Sequence, residues 1–258
     1  MKNRSVMVAG VLLALAAMVT SCSWKMERLV ADAGPRMSET RMLKGFEEIE
    51  ISGSPTVYYT QADSFSVKVV GPKRFVEDIL TEVTGRTLTV RNRGKIGIFN
   101  ISTNYDDAAV YISSPDLTAV RLNGSGDFFC SQRVDTDKMH IALRGSGDID
   151  FKDIICDACT TELTGSGDID IDRLEAQRSD ISMVGSGDIE VKQWNVTDTD
   201  ISLRGSGDVQ VNFVEGCRRT NCQLTGSGDI TLKGRLKHYD MQRRGSGEID
   251  VSKLTIEH

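Results

Sequence analysis

Through the second half of the chain, apolar and polar residues alternate with period two on both sides of a recurring Gly-Ser-Gly-Asp, a pattern that predicts strand, sharp corner, strand. The motif starts at Gly124, Gly145, Gly165, Gly185, Gly205 and Gly226, with Gly-Ser-Gly-Glu at Gly245, so successive starts lie 21, 20, 20, 20, 21 and 19 residues apart. Aligned on the first Gly, the repeats show four apolar columns. Four positions after it stand Phe128, Ile149, Ile169, Ile189, Val209, Ile230 and Ile249, and six after it Cys130, Phe151, Ile171, Val191, Val211, Leu232 and Val251. Four before it run Val120, Ile141, Thr161, Ile181, Ile201, Cys222 and Met241, and two before it Leu122, Leu143, Leu163, Met183, Leu203, Leu224 and Arg243. A weaker third strand is expected from Ile154, Leu174, Trp194 and Val214, nine positions after the Gly.

One such turn cannot bury its inward residues alone, so the turns must stack with strands parallel and in register, about 4.8 Å apart. The predicted fold is all-β: a parallel β-solenoid, or β-helix, of about 20-residue turns. The glycines supply backbone angles that a Cβ forbids, and the Asp can accept from nearby turn amides.

The column pattern recurs once upstream, where Ile49 and Ile51 precede Gly53-Ser54 and Val57 and Tyr59 follow. Residues 45–258 therefore read as one solenoid domain, with degenerate turns over 45–123 and regular turns over 124–258. Between Pro72 and Thr84 the stripe Phe75, Val76, Ile79, Leu80 and Val83 predicts one short helix, started by Pro72 and closed by Gly85, which covers a solenoid end or sits as a lateral insertion. Strand returns at Leu88–Val90 and Ala109–Ile112. At the other end the alternation runs on through Leu254, Thr255 and Ile256, leaving an edge open to self-association into a homo-oligomer.

Residues 1–21 read as a lipoprotein signal peptide. Lys2 and Arg4 form a positive start, Val6 to Val19 is an apolar run too short for a comfortable membrane span, and Val19-Thr20-Ser21-Cys22 resembles a lipobox. That resemblance implies lipidation at Cys22 and a membrane anchor of several chains, with residues 22–44 as a tether. The expected location is a bacterial cell envelope, at the outer membrane, its side open. The net charge of −6, or −8 once Lys2 and Arg4 are removed, argues against nucleic acid as a partner.

Candidate chemistry is sparse. The corner acids Asp127, Asp148, Asp168, Asp188, Asp208, Asp229 and Glu248 form a column whose like charges repel. Calcium could relieve that repulsion, but the period and acid placement do not match calcium-binding nonapeptide repeats, and Arg144, Arg204 and Arg244 beside the corners offer compensation, so no metal or cofactor is expected. Cys130, Cys156 and Cys222 align with inward columns and read as small buried hydrophobes. Cys156-Asp157-Ala158-Cys159 lacks a second metal-binding half, since Cys217 and Cys222 lie three turns away, and a disulfide within one turn stays open. His140, His238 and His258 sit on different turns without a nucleophile or ligand spacing around them, so no catalytic residue is assigned.

The opening Phe46-x-x-Ile49-x-Ile51-x-Gly53, the Pro115-x-Leu117 step and the Gly-Ser-Gly-Asp series resemble the head GIN domain family of auto-transporter adhesins, over Phe46 to about Ile256. The resemblance implies a β-solenoid and an adhesive role, with no catalytic residues to carry over. The expected function is a non-enzymatic, lipid-anchored envelope protein that binds a protein or polysaccharide through a repetitive face. Asp148, Asp168, Asp188 and Asp208 form the candidate strip, with Asp150, Asp170 and Glu190 beside it. The alternatives are a carbohydrate-active β-helix enzyme and a purely structural envelope component.

Overall fold

In the computed structural model, which describes residues 34–93 and 108–257, every Gly-Ser-Gly corner joins two strands of one coil. The leader, Cys22, the first part of the expected tether and His258 lie outside the described residues. The regular turns are built from β8 (Ala119–Gly124), β9 (Asp127–Asp135), β10 (Lys138–Gly145), β11 (Asp148–Gly165), β12 (Asp168–Gly185), β13 (Asp188–Trp194), β14 (Val196–Gly205), β15 (Asp208–Gly226), β16 (Ile230–Gly245) and β17 (Ile249–Ile256). They pair in parallel, each corner Gly over the last: Gly124 with Gly145, Gly145 with Gly165, Gly165 with Gly185 and so on to Gly245. The fold is the parallel β-solenoid that the 20-residue period predicts.

The two columns on each side of the corner are buried as expected through most of the stack, from Val120, Leu122, Phe128 and Cys130 to Cys222, Leu224, Ile230 and Leu232. Each fully buried Ile, Leu, Val or Phe contributes about 1.5–3 kcal/mol, and together they form one continuous core. The third column differs from the expected one. In the turn after Gly185 the register slips by one residue, so Leu174 pairs with Gln193 and not Trp194, and Phe213 follows Gln193 into the interior. Asn195 takes φ 55° between β13 and β14 and absorbs the slip. Trp194 is thereby turned outward, under the Arg173 guanidinium at 5.0 Å, and Val214 is exposed. Gln193 is satisfied inside: its Nε2 donates to Ser179 Oγ at 2.9 Å and its Oε1 accepts from Thr199 Oγ1 at 2.8 Å.

The first turn, β2 (Glu48–Gly53) and β3 (Thr56–Gln61), pairs with β8 and β9 in the register of the upstream repeat, Ile49 on Val120 and Val57 on Phe128. Its other side is covered out of sequence order by β6 (Thr87–Asn92) and β7 (Ala109–Ser114). Beyond these the chain reverses: β4 (Ser66–Pro72) pairs antiparallel with β7, and β5 (Ile79–Thr84) antiparallel with β6. The helix expected over Pro72 to Thr84 is only α1 (Lys73–Asp78), because Ile79 is already extended at φ −75°, ψ 119°. Gly85, at φ +60°, serves the β5–β6 hairpin and not a helix end. Val76 on α1 is buried, so this segment is a cap on the solenoid end.

Part of the segment expected as a tether is strand: β1 (Arg36–Arg41) pairs antiparallel with β4 along its whole length, held by backbone bonds while most of its side chains are exposed. At the opposite end β17 covers β16 only over Ile230–Leu236. Past it, Met241 and Arg243 occupy core columns with no turn above them among the described residues, and Met241 is 41% exposed. Arg243 Nη1 folds over to donate to Gly247 O at 3.1 Å, placing a charge at the end of the core, a device that opposes edge-to-edge pairing.

Candidate functional site

The strand that leaves each corner presents three outward columns. The first is the acid column of the corner motif. Its carboxylates are engaged by the backbone: the amide of Asp188 donates to Asp168 Oδ1 at 2.9 Å, that of Asp208 to Asp188 Oδ1 at 3.1 Å, that of Asp229 to Asp208 Oδ1 at 3.0 Å and that of Glu248 to Asp229 Oδ1 at 2.7 Å. Asp168, Asp188, Asp208 and Asp229 thus each hold the turn above, the turn-amide role expected from the sequence, whereas the amide above Asp148, that of Asp168, donates to Gly147 O at 3.3 Å. Asp148, Asp168, Asp188 and Asp208 are all exposed and stand in line, so the structure does bring the candidate strip together. The expected compensation by Arg144, Arg204 and Arg244 is absent: these side chains lie exposed on the far side of the corner, and no ion pair among the described residues joins them to the strip. The amide bonds do that work instead.

The second column, two residues further on, runs Tyr111, Tyr58, Phe129, Asp150, Asp170, Glu190 and Gln210 from turn to turn. Tyr58 stacks between Tyr111, at a centroid distance of 5.3 Å, and Phe129, at 5.4 Å. Tyr58 and Tyr111 are 41% and 42% exposed, an aromatic patch on an otherwise polar surface. Sequence reasoning missed it, although Tyr58 and Phe129 share the offset of Asp150 from their corners. Where the rings end, the acids begin. Burial, then Asp172, pushes the Asp150 carboxyl up, and burial followed by Glu190 and Asp150 does the same to Asp170.

The third column alternates in charge and pairs within itself: Lys152 and Lys192 donate to the two carboxylate oxygens of Asp172 at 2.6 and 2.8 Å. Other faces are likewise self-paired. Arg178 holds Asp180 at 2.9 Å and Asp200 at 2.8 Å, and Arg218 holds Asp198 at 2.7 Å. Exposed pairs of this kind add little stability, but they leave few charges on those faces for a partner. Among the described residues the first two columns keep acid without a basic partner beside exposed rings, except that Glu190 meets Lys192 at 3.9 Å.

Inside the coil, Cys130, Cys156, Cys159, Cys217 and Cys222 are all buried free thiols. Burial pushes Cys130 up to about 11 and Cys222 up to about 12 from 9.0. Below pH 9 both folded and unfolded chains keep these protons and nothing is lost. Above it the unfolded chain ionises while the fold cannot, so stability should fall from about pH 9 at up to ~1.4 kcal/mol per pH unit per thiol. Denaturant melts between pH 8 and 10.5 check this. Cys130→Val with Cys222→Val, which match the aliphatic residues of their columns, should flatten the decline, and an unchanged slope would contradict it.

Among the described residues no group of three or more His, Cys, Asp or Glu could hold a metal ion. His140 lies 3.8 Å from Glu162 and pairs across the ladder with Thr160.

Fold and surface together define a class: a capped parallel β-solenoid that offers a repetitive lateral face. Residues 45–218 match the family model described as "Putative auto-transporter adhesin, head GIN domain", and the chain belongs to that family. The coordinates resemble a putative adhesin from Bacteroides fragilis NCTC 9343, with a TM-score of 0.74 and 23% identity over 83% of this chain and 96% of that one. They also resemble a putative lipid binding protein from Parabacteroides distasonis ATCC 8503, with a TM-score of 0.65 and 21% identity over 84% and 94% of the two chains. A putative adhesin from Parabacteroides merdae ATCC 43184 gives 0.61 and 17% over 84% and 97%. At these identities the likeness is one of fold. No curated protein matches the chain.

Proposed function

We propose that this is a non-enzymatic adhesin of a bacterial cell envelope, anchored to the membrane by lipid on Cys22, which holds a macromolecule along the face bearing the strip Asp148, Asp168, Asp188 and Asp208. One observation carries the choice of face: among the described residues it combines exposed stacked rings with a strip, Asp148, Asp168, Asp188 and Asp208, that no basic side chain pairs, while the neighbouring faces pair their charges internally. The family name and those of two of the resembling structures are adhesin names, in keeping with binding at the cell surface. No helix among the described residues is long and apolar enough to cross a membrane; the attachment we assign to Cys22 rests on its lipobox-like setting, Val19-Thr20-Ser21-Cys22.

The test is cross-linking in intact cells of the wild type, Cys22→Ala, and the fourfold Asp→Asn variant of the strip. At Asp168, Asp188 and Asp208 Asn keeps an oxygen for the amide of the next turn while removing the charge, and the amide above Asp148 uses Gly147 O instead, so the coil should stay folded. Cys22→Ala should no longer partition with membranes. The fourfold variant should lose most of the captured partner, and more so as salt is lowered in the wild-type comparison, since complementarity of charge is screened. The same partner captured with equal efficiency by the fourfold variant would dismiss the face, and unchanged partitioning of Cys22→Ala would dismiss the anchor.

A further inference from the structure

At the boundary between the rings and the acids the surface steps down. Tyr58 covers one side of the Phe129 ring, and the next residue of the column is the short Asp150, so the other side of the ring has no aromatic neighbour. The result is a hollow of about 380 Å³ lined by Tyr58, Phe129, Ser131, Asp150, Lys152 and Asp172. Its size falls in the range of small-ligand sites, roughly 300–1,000 Å³. Asp172 is committed to Lys152 and Lys192. No side-chain hydrogen bond occupies the Asp150 carboxylate among the described residues, although burial disfavours its charge.

We propose that this hollow is a saccharide subsite, in which one sugar ring of a polysaccharide lays its C–H face on Phe129 and donates hydroxyls to Asp150, while Lys152 donates to a ring or hydroxyl oxygen. The proposal rests on the reading that this face binds the partner, and it names the partner's chemistry. A pyranose is apolar on its faces and rimmed by groups that both donate and accept, and the hollow offers an apolar wall, a free acceptor and an ammonium side by side. A peptide fits less well. Strand addition needs a free backbone edge, and β3, β9, β11 and β12 under this face are paired on both sides. A helix needs a long apolar groove, and the rings give way to acids after Phe129. The rungs repeat about every 4.8 Å, so a chain lying along the coil axis would meet the hydroxyl-binding columns again at Asp170 and Glu190.

The experiment titrates the purified soluble chain lacking the leader with cello-oligosaccharides, chito-oligosaccharides and soluble bacterial exopolysaccharide, by calorimetry and by affinity electrophoresis. Phe129→Ala should weaken binding at least tenfold. Asp150→Asn, which can still accept but is uncharged, should weaken it a few-fold, and Tyr239→Ala at the far end should leave it unchanged. Melting temperatures within a few degrees of wild type keep the loss from being one of folding. If none of the saccharides binds, or if Phe129→Ala binds them as well as the wild type, the subsite is wrong. Capture of a protein partner in cells that still depends on the Asp148 to Asp208 strip would then leave the binding face standing, whereas loss of that dependence would remove the face as well.

Discussion

Gly167→Ala should abolish the cooperative unfolding transition or lower stability by on the order of 3–5 kcal/mol, while Ser166→Ala beside it should change little. A Cβ on Gly167 would overlap the carbonyl oxygen of Gly147 in the turn below, and one on Gly165 would overlap that of Gly145. Both obstacles are backbone, which cannot rotate away as a side chain can. That carbonyl is also the anchor of the corner: Gly145 O accepts from Ser166 N at 2.9 Å and Gly167 N at 3.2 Å, and the same bonds repeat between Gly185, Ser206 and Gly207. Separating two rungs to admit a methyl group therefore lengthens these bonds and loosens the apolar columns on both sides of the corner. Gly165→Ala adds backbone strain, since Gly165 has φ +140°. Ser166 is exposed at the tip, and its backbone makes the bonds. Circular dichroism melts of the three variants decide the matter. A native-like Gly167→Ala would mean that the corner can spread without cost.

The repeat was legible because stacking imposes one environment on every twentieth residue, and the sequence answers with one residue type per column. The reason for the second glycine was less so. A turn argument asks for unusual backbone angles, which the first Gly of each corner has, but the need at Gly147 and Gly167 comes from the turn below and appears only when turns are superposed. Local pattern also failed where two structures share one pattern. Ile79, Leu80 and Val83 suit a helix stripe, yet Ile79 and Val83 also lie on one face of a strand, and pairing of β5 with β6 at the open end decides between them. The slip at Asn195 escaped notice because the turn keeps its 20-residue length while moving Gln193 and Phe213 inward. A polar Gln in place of Trp in the core is not written in hydropathy; it depends on Ser179 and Thr199 being there to satisfy it.

The candidate site divides in the same way. The acid strip was visible because its members share the corner motif. Tyr58 and Phe129 could have been found by their common offset, five residues after Gly53 and Gly124. Tyr111 could not. Its turn has no Gly-Ser corner and enters the stack on the far side of β3, against sequence order, so no spacing places it beside Tyr58.

Ile169→Asp and Val191→Asp should each cost on the order of 4 kcal/mol or more, against less than about 0.5 kcal/mol for Ser182→Asp. Ile169 and Val191 are buried to within about one percent, in columns that are aliphatic from the turn below to the turn above. A carboxylate there has no donor: the backbone amides of both flanking rungs are spent on the ladder, and the neighbouring side chains, Ile149 and Ile189 or Ile171 and Val211, are hydrocarbon. The group must either stay charged in the core or bind a proton at neutral pH. Ser182, further along β12, shows the contrast, pointing outward between Ile181 and Met183 beside half-buried Asp180 and Asp200, where the added charge costs only screened repulsion. Because the coil's turns support only their neighbours, the damage should be local in contact yet global in effect: a mid-stack turn that cannot close leaves the turns above it without a template. Urea melts test this, and the decisive comparison is between sites. Equal stability of Ile169→Asp and Ser182→Asp would mean that the inward and outward columns are not what holds the coil together.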